Sequence, residues 1–246
     1  MVDQQRTISR ERLDALQWTA RIGAVTAEAL AERQRTEVAT ARSRLRAAEK
    51  RGLLSRRAPL ASQPALYTIT PAGLRTSGAR GLEPARVSPA NALHLIVCAR
   101  VAAALERCYP DHSVLGEREL RRDERECGTL LASGLLGTGH YGQPLVHRPD
   151  LVLRAPGVNP GLPVAVEVEL TVKSHRRLAA ICQAWARCRC VAGVLYLAAP
   201  DVERPLARAL AQVDAGERIV VVPLAALPLA AGPTAPPSAN AVAADA

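Results

Sequence analysis

The stretch 163–170, with the sequence PVAVEVEL, constrains the fold more than any other part of the chain. Its strict alternation predicts a β-strand that has the valines on one face and Glu167 and Glu169 together on the other. Apart from the two acids, the residues are those of a protein core. The sequence therefore places two carboxylates inside a core strand, unless the acidic face is solvated, which is the alternative.

A second run, RPDLVLRA at 148–155, also predicts a strand, and the segment APGVNPG between the two runs has the residues of a turn. A hairpin of the two strands brings Asp150 beside Glu167 and Glu169. Three carboxylates on a half-buried sheet repel each other and lose hydration, so they need a cation or a basic partner. Oxygen-rich clusters of this kind suit Mg²⁺ or Mn²⁺. In the alternative, Asp150 only begins a strand after Pro149.

Hydropathy gives no indication of a membrane protein. The longest apolar stretches are 191–199 and 219–231, proline interrupts the second, and neither resembles a membrane span. The first residues, MVDQQRTISR, lack the apolar core of a secretory signal. We therefore expect a globular protein in the cytoplasm, without a membrane partner.

The six cysteines of the chain include no C-x-x-C pair, and the closest two are Cys188 and Cys190. His140 and His147 lie among glycines at a spacing that is too loose to predict a metal site. The pattern favours buried thiols over disulfides or a zinc site.

Positive charge is concentrated at the front of the chain. Residues 1–85 carry 15 Arg or Lys and 8 Asp or Glu, a net charge of +7 out of +9 for the whole chain. A small basic module joined to a nearly neutral body is typical of a protein that binds a polyanion. The alternative is a solvated basic surface without a partner.

Three short helices are predicted in this basic part, over 9–20, 26–33 and 36–51, the first with Ser9 as its N-cap. The third helix has an apolar side and exposes its basic residues elsewhere. These residues are Arg42, Arg44, Arg46, Lys50 and Arg51. Two strands around a polar loop follow. The phrases RLRAAEKRGLLSR and LYTITPAGLR resemble the winged helix-turn-helix of bacterial transcription regulators.

This resemblance covers residues 8–78 and implies a DNA-binding domain over 1–78. It places the arginine face of the third helix in the major groove, and Arg56 or Arg57 of the wing on a phosphate. Winged helices also serve as protein contact modules, which is the alternative. Such proteins are often dimers, so a homodimer is expected as well.

A linker over 79–90 precedes a second predicted domain, 91–228, and an Ala- and Pro-rich tail over 229–246 is expected to be disordered. The second domain begins with an apolar helix in which His94 is interpreted as a packing residue. Strands are then predicted at 113–120, 149–155 and 163–171, a helix at 174–189 and a strand at 191–198. A further helix at 201–213 and a strand at 218–222 would extend the sheet. The fold class is α/β (α+β overall), with the order α-β-β-β-α-β and a mixed sheet.

This order, with Asp150 at the start of one strand and paired acids in the next, resembles the PD-(D/E)xK fold of restriction endonucleases. The resemblance implies that Asp150 and Glu167 hold Mg²⁺ or Mn²⁺, which activates water for attack on a phosphodiester. Glu169 stands where that family has lysine, and Lys173 could take the role of the lysine. Glu117 or Glu119 would supply a further acid, as an upstream glutamate does in some of these nucleases. The catalytic candidates are Asp150, Glu167, Glu169 and Lys173.

Taken together, the winged helix, the segment HRPDLVL, the segment VAVEVELTVKSHRRL and the segment VLYLAAP resemble the replication-relaxation family of actinobacterial plasmids and mobile elements. The resemblance implies a DNA-binding accessory or regulator of plasmid replication or transfer, with replication or transfer proteins as partners. The nuclease-like domain is then either degenerate or an active endonuclease guided by the winged helix. A regulator that acts through protein contacts is the third hypothesis.

Overall fold

The computed structural model describes residues 9–157, 161–213, 215 and 218–227, which form a mixed α/β structure. The first part contains α1 (Arg10–Ile22), β1 (Ala24–Val25), α2 (Ala27–Gln34), α3 (Val38–Lys50), β2 (Leu54–Arg57), β3 (Leu66–Ile69) and α4 (Pro71–Ser77). The second part contains α5 (Pro89–Cys108), β4 (Ser113–Gly116), α6 (Glu117–Cys127), β5 (Gly134–Thr138), β6 (Pro144–His147), β7 (Leu151–Arg154), β8 (Val164–Glu169), α7 (His175–Arg187), β9 (Gly193–Ala198), α8 (Pro200–Val213) and β10 (Ile219–Pro223).

The first part contains the three helices that the sequence predicts. Features of the sequence explain why α2 and α3 form. The stripe Ala41, Leu45 and Ala48 is buried at helical spacing on α3. The side chain of Thr26 caps α2 by accepting a hydrogen bond from the backbone N–H of Ala29 at 3.1 Å. Ser9 lies at the N-cap position of α1, as predicted, although its side chain makes no capping hydrogen bond.

A three-stranded antiparallel sheet follows α3, with the strand order β1-β3-β2. β2 and β3 are hairpin partners, and Arg57 pairs with Leu66 at the end next to the connecting loop. Gly52 lets the chain leave α3 because its φ of +70° is one that residues with a side chain rarely adopt. The loop 58–65 therefore projects from the end of this sheet.

The five-stranded sheet of the second part has the order β10-β9-β8-β7-β4. β10, β9 and β8 run parallel, while β7 is antiparallel to both of its neighbours, so the sheet is mixed. Val166 and Val168 of β8 face a core shared with α5 and the N-terminal helices. The opposite face, which includes Ala165, packs against α7 and α8. The alternation in the sequence is thus an alternation between two buried faces.

The strand predicted over 113–120 is wrong beyond Gly116, where the chain turns into α6. A Cβ atom on Gly116 would lie 2.5 Å from the carbonyl oxygen of Arg21, so only glycine fits against the end of α1. Glu117 and Glu119 then occupy the first turn of a helix, where the helix dipole favours acids. The polar, glycine-rich segment that follows contains the β5–β6 hairpin.

Packing continues across the connection between the two parts. Residues 79–88 have no helix or strand, but α5 packs against α2 and β1 as well as against the large sheet. One cluster of buried side chains combines Leu16 of α1, Leu45 of α3, Val101 of α5 and Val166 of β8. Helix α5 is therefore part of both cores.

The described part of the chain contains no helix that is both long enough and apolar enough to cross a bilayer. The expectation of a disordered tail over 229–246 falls on residues outside the described ranges. All six cysteines are free thiols, and Cys108 and Cys127 are exposed rather than buried.

A polar cluster joins α1 and α2 to α5. Arg33 of α2 forms ion pairs with Glu106 of α5 at 2.5 Å and with Asp14 of α1, and its guanidinium lies 5.3 Å from the ring centre of Trp18. The indole N–H of Trp18 donates to the same Glu106 carboxylate at 3.0 Å. Glu106 therefore accepts hydrogen bonds from both N-terminal helices.

Glu106→Ala should lower the free energy of unfolding of the whole chain by about 2–3 kcal/mol. This is less than the roughly 3–5 kcal/mol for breaking a fully buried pair, because the side chains of Arg33 and Glu106 are 18% and 16% exposed. Urea denaturation followed by tryptophan fluorescence and by circular dichroism measures the change. Asp111→Ala, an exposed acid just after α5, is the control and should change stability by less than about 0.5 kcal/mol.

The two probes should report one transition, because the cores are shared. Trp18 and Trp185 lie on opposite sides of the large sheet. Two separate transitions, with Glu106→Ala moving only the first, would contradict the continuous core.

Candidate functional site

Asp150 lies just before β7, and Glu167 and Glu169 lie on its partner strand β8. The register pairs Leu151 with Val166, so Asp150, one residue earlier, lies level with Glu167. Glu167 and Glu169 are each only 5% exposed. The alternative of a solvated acidic face is therefore wrong for the two glutamates, while the convergence of all three acids on one metal stays a prediction.

The Glu167 carboxylate has two donors on the α7 side of the sheet. Its Oε1 atom lies 2.6 Å from Nε2 of His147 and accepts a hydrogen bond from the indole N–H of Trp185 at 3.0 Å. Burial raises the pKa of the Glu167 carboxyl, and the nearby charge of Asp150 adds to the rise, whereas His147 opposes it. Glu167 therefore keeps its proton to a higher pH than a glutamate side chain in water does.

Asp150 is held by a different helix. Its Oδ1 atom lies 2.9 Å from Nε2 of His94 on α5, and its Oδ2 atom accepts from the backbone N–H of Val168 at 2.8 Å. The hydrogen bond with Asp150 raises the pKa of His94, although burial opposes the shift. His94 therefore belongs to the site, and its interpretation as a packing residue alone is wrong.

Lys173 lies in the connection between β8 and α7 and forms an ion pair with the carboxylate of Glu169. Burial lowers the pKa of Lys173, while the charges of Glu167 and Asp150 raise it. The ammonium group is thus within the field of all three acids.

The other acids named from the sequence do not join the cluster. Glu117 pairs with Arg121, and Glu119 pairs with Arg21 at 3.2 Å. The backbone N–H of Glu117 does donate to the carbonyl oxygen of Asp150, so α6 begins close to the site without contributing its carboxylate.

His94 and His147 are the residues of the cluster that sequence reasoning missed. Each lies at a large sequence separation from its partner, 56 residues for His94 and Asp150 and 20 for His147 and Glu167. One local signal was present, because His94 and Cys98 are four residues apart and so lie on one side of a helix. No comparable pattern surrounds His147.

The donor set of the three acids fits an octahedral Mg²⁺ or Mn²⁺ ion poorly. Both oxygens of Asp150 accept hydrogen bonds, Oε1 of Glu167 has two partners, and Glu169 is bound to Lys173. Mg²⁺ needs oxygen ligands in near-ideal octahedral positions, so these contacts would have to break first. The carboxylates are compensated by the protein itself.

The basic candidates of the first part are divided by the structure into two groups. Arg42, Arg46 and Lys50 follow each other at intervals of four residues on α3 and are exposed. We call these three residues the α3 basic stripe. Arg44 lies off this stripe and donates to Oε1 of Gln34 at 2.6 Å. Arg42 also approaches Glu28, at 3.4 Å.

Arg56 and Arg57 are exposed on β2, beside the loop 58–65. Arg51, directly after α3, is exposed as well, and it has an interaction within the chain. No carboxylate pairs with Arg46, Lys50, Arg56 or Arg57 among residues 9–157, 161–213, 215 and 218–227.

Comparisons with known proteins found no matching family model, no matching curated protein and no matching solved structure.

Glu167→Gln should become more stable relative to the natural protein as the pH rises. The pKa of Glu167 is raised on folding, so the folded state binds more protons than the unfolded state, and stability falls as pH increases from about 4.5 through the folded pKa. Glutamine removes this loss and still accepts the bond from Trp185. Urea denaturation of both proteins between pH 4 and pH 8 gives the difference. A difference that is constant with pH would contradict the raised pKa.

Glu124→Gln is the matched control, because Glu124 is a buried glutamate with a complete set of charged and polar partners. It pairs with Arg148 at 3.0 Å and accepts bonds from the backbone N–H groups of Leu131 and Ala132. Its replacement should cost about 2–3 kcal/mol at pH 8, since Arg148 loses its partner.

Proposed function

We propose that the chain is a DNA-binding protein, an accessory or regulator of plasmid replication or transfer in the cytoplasm, whose nuclease-like domain does not cleave DNA. The observation that carries the proposal is the α3 basic stripe, which is exposed and lacks buried partners. The buried acids have the opposite character, because protein groups satisfy them. The charged side chains that a ligand can reach without displacing a protein partner are thus the basic residues of the first part.

The order of elements in residues 9–78 supports a winged helix-turn-helix. α2 and α3 are joined by a three-residue turn, Arg35 in that turn has a left-handed φ of 50°, and the β2–β3 hairpin follows α3. α3 buries Ala41 and Leu45 against its neighbours and turns the α3 basic stripe outward. In this arrangement the second helix of the pair is the recognition helix.

The dimensions of α3 suit the major groove. Its 13 residues span about 20 Å, and a groove about 12 Å wide admits one helix. Arg42 and Arg46 are then the candidates for contacts with base edges. Lys50, at the C-terminal end of the helix, is placed for a phosphate contact.

The β2–β3 hairpin supplies the second contact in this proposal. Arg56 and Arg57 precede the loop 58–65 and are exposed, so they can reach the backbone beside the groove that α3 occupies. Contacts of this kind add affinity without sequence preference.

The proposed nuclease-like domain serves as a scaffold for the basic module. Helix α5 packs on α2 and on the large sheet, and Glu106 fixes it to Arg33 and Trp18. The resemblance to the replication-relaxation family agrees with such a two-part protein, and it makes replication or transfer proteins and a second copy of the chain the candidate partners.

Arg42→Ala combined with Arg46→Ala should weaken binding to a 30-base-pair duplex of mixed sequence by at least about tenfold, because each contact with a base or phosphate contributes on the order of 1 kcal/mol or more. Fluorescence anisotropy at several salt concentrations gives both the affinity and its salt dependence. The slope of log affinity against log salt concentration should become shallower by about one for each phosphate that the variant no longer neutralises.

Arg44→Ala is the matched control on the same helix. Its guanidinium is held by Gln34, away from the α3 basic stripe. The control should bind DNA within about twofold of the natural protein. Equal affinity of the double variant and the control would remove α3 as the recognition helix. Binding with no salt dependence would favour a protein contact module instead.

An endonuclease is the second candidate function, because Lys173 pairs with Glu169 and lies within the field of Glu167 and Asp150. In that case Asp150 and Glu167 would hold Mg²⁺ or Mn²⁺, and the ion would supply an activated water. Asp150 would have to release His94, and Glu169 would have to release Lys173, before the acids could take part.

Supercoiled plasmid incubated with the full chain should stay intact with Mg²⁺, with Mn²⁺ and with chelator, since the acids keep their protein partners. Agarose electrophoresis after several hours detects nicked and linear forms. Metal-dependent nicking that disappears in Asp150→Asn would contradict the proposal and establish the endonuclease. Arg44→Ala serves again as the control, because it lies far from the acids in the chain and outside their hydrogen-bond network.

A further inference from the structure

Three different metal-ligating atoms meet where α5 passes β7. Nε2 of His94 lies 2.9 Å from Oδ1 of Asp150 and 3.4 Å from Sγ of Cys98, and the three donor atoms all lie within 4.8 Å of one another. Nitrogen, sulfur and oxygen together are the ligand types of zinc. We propose that His94, Cys98 and Asp150 form a zinc site, a role separate from the DNA contacts of α3.

The separations from Nε2 of His94 to the other two donor atoms are close to those around a tetrahedral ion, and Sγ of Cys98 lies within 4.8 Å of the Asp150 carboxylate. Zn–S distances of about 2.3 Å and Zn–N or Zn–O distances of about 2.0–2.1 Å put ligand atoms roughly 3.3–3.6 Å apart. The His94–Cys98 separation of 3.4 Å lies in this range. The His94–Asp150 separation of 2.9 Å is that of a hydrogen bond, and the two atoms would have to move apart by a few tenths of an ångström, which is a side-chain adjustment.

The backbone already orients the ligands. His94 and Cys98 are one helical turn apart on α5, so they point to the same side of the helix. The backbone N–H of Val168 binds Oδ2 of Asp150 and leaves Oδ1 directed at His94. A hydrogen bond of this type around a ligand is the usual means by which proteins fix a metal-binding carboxylate.

The proposed zinc ligands differ in their exposure to solvent, and the difference indicates where an ion can enter. Cys98 is 7% exposed, whereas the side chain of His94 is 37% exposed. Zinc can therefore enter from the side of His94, and a water molecule can complete the tetrahedron there. Three protein ligands and one open position are the arrangement of zinc sites that keep a water ligand.

The thiol decides which cation fits. Mg²⁺ and Mn²⁺ prefer oxygen ligands, while a cysteine sulfur selects zinc and other borderline or soft ions. The charge of Glu167 acts on both His94 and Cys98, so a divalent ion would also compensate the acid cluster. This explains chemically why a cysteine lies beside an acid that the nuclease resemblance assigns to Mg²⁺.

A second pair of thiols must be removed before zinc binding can be assigned. Sγ of Cys188 and Sγ of Cys190 are 3.2 Å apart, and both lie 3.6 Å from the carbonyl oxygen of Ser133. The variant with both Cys188→Ser and Cys190→Ser leaves Cys98 as the thiol next to a histidine and a carboxylate. We call this variant the reference protein.

The reference protein, freed of metal with a chelator and dialysed, should bind one equivalent of zinc, measured by competition with a chromogenic chelator. Cobalt in place of zinc should give a near-ultraviolet band of thiolate-to-cobalt charge transfer. Cys98→Ser in the reference protein should abolish that band. Cys98→Ser and His94→Gln should each weaken zinc binding by more than about 100-fold, since loss of an outer partner alone costs about 10–100-fold.

Cys108→Ser in the reference protein is the matched control, because Cys108 is exposed at the end of the same helix. It should keep both the stoichiometry and the cobalt band. Circular dichroism checks that each variant is folded. If Cys98→Ser fails to fold, the band of the reference protein and its loss in His94→Gln decide.

A reference protein that binds no zinc, or a cobalt complex without the charge-transfer band, would overturn the zinc site. An unchanged zinc affinity in His94→Gln would overturn it too. None of these measurements involves DNA. The zinc site can therefore be rejected or supported whether or not the α3 basic stripe binds DNA. The two proposals are therefore tested by separate readouts.

Discussion

Burial of the two glutamates on β8 is the constraint on which the rest of the second part depends. A carboxylate in a core is tolerated only when hydrogen bonds or counter-charges replace its lost hydration. Glu167 obtains these from His147 of β6 and Trp185 of α7, and Glu169 obtains them from Lys173. The β5–β6 hairpin, the C-terminal part of α7 and the connection before α7 are thus held to the sheet by polar as well as apolar contacts.

Local periodicity explains what the sequence could predict. The alternation in 163–170 indicates the strand, its partner and the level of Asp150, because a strand with two buried faces leaves few alternative registers. The helices of the first part are predictable for the same reason, since Ala41 and Leu45 repeat at the spacing of a turn. These features depend on residues that are close in sequence.

Contacts over long sequence separations explain what the sequence could not predict. The apolar helix around His94 favours a packing residue, and only the folded sheet brings Asp150 to it. The strand predicted through Leu120 ends at Gly116 because Arg21 of α1 lies against that glycine. The hydrogen bond that holds Arg44 also joins two helices, because its partner Gln34 belongs to α2.

The second part of the chain pairs its acidic side chains with protein groups, whereas the first part leaves basic side chains exposed to solvent. This difference favours DNA binding over DNA cleavage. Glu167 and Glu169 are buried and Asp150 is half-buried, and each has a partner within the protein. Their interaction with a metal or a phosphate must first displace those partners. Arg46 and Lys50 stay in water, where a phosphate can approach them without that cost. A zinc ion at His94, Cys98 and Asp150 would extend this separation, because it would bind Asp150 further to α5. The acidic site would then be a structural element of the domain that carries the basic module.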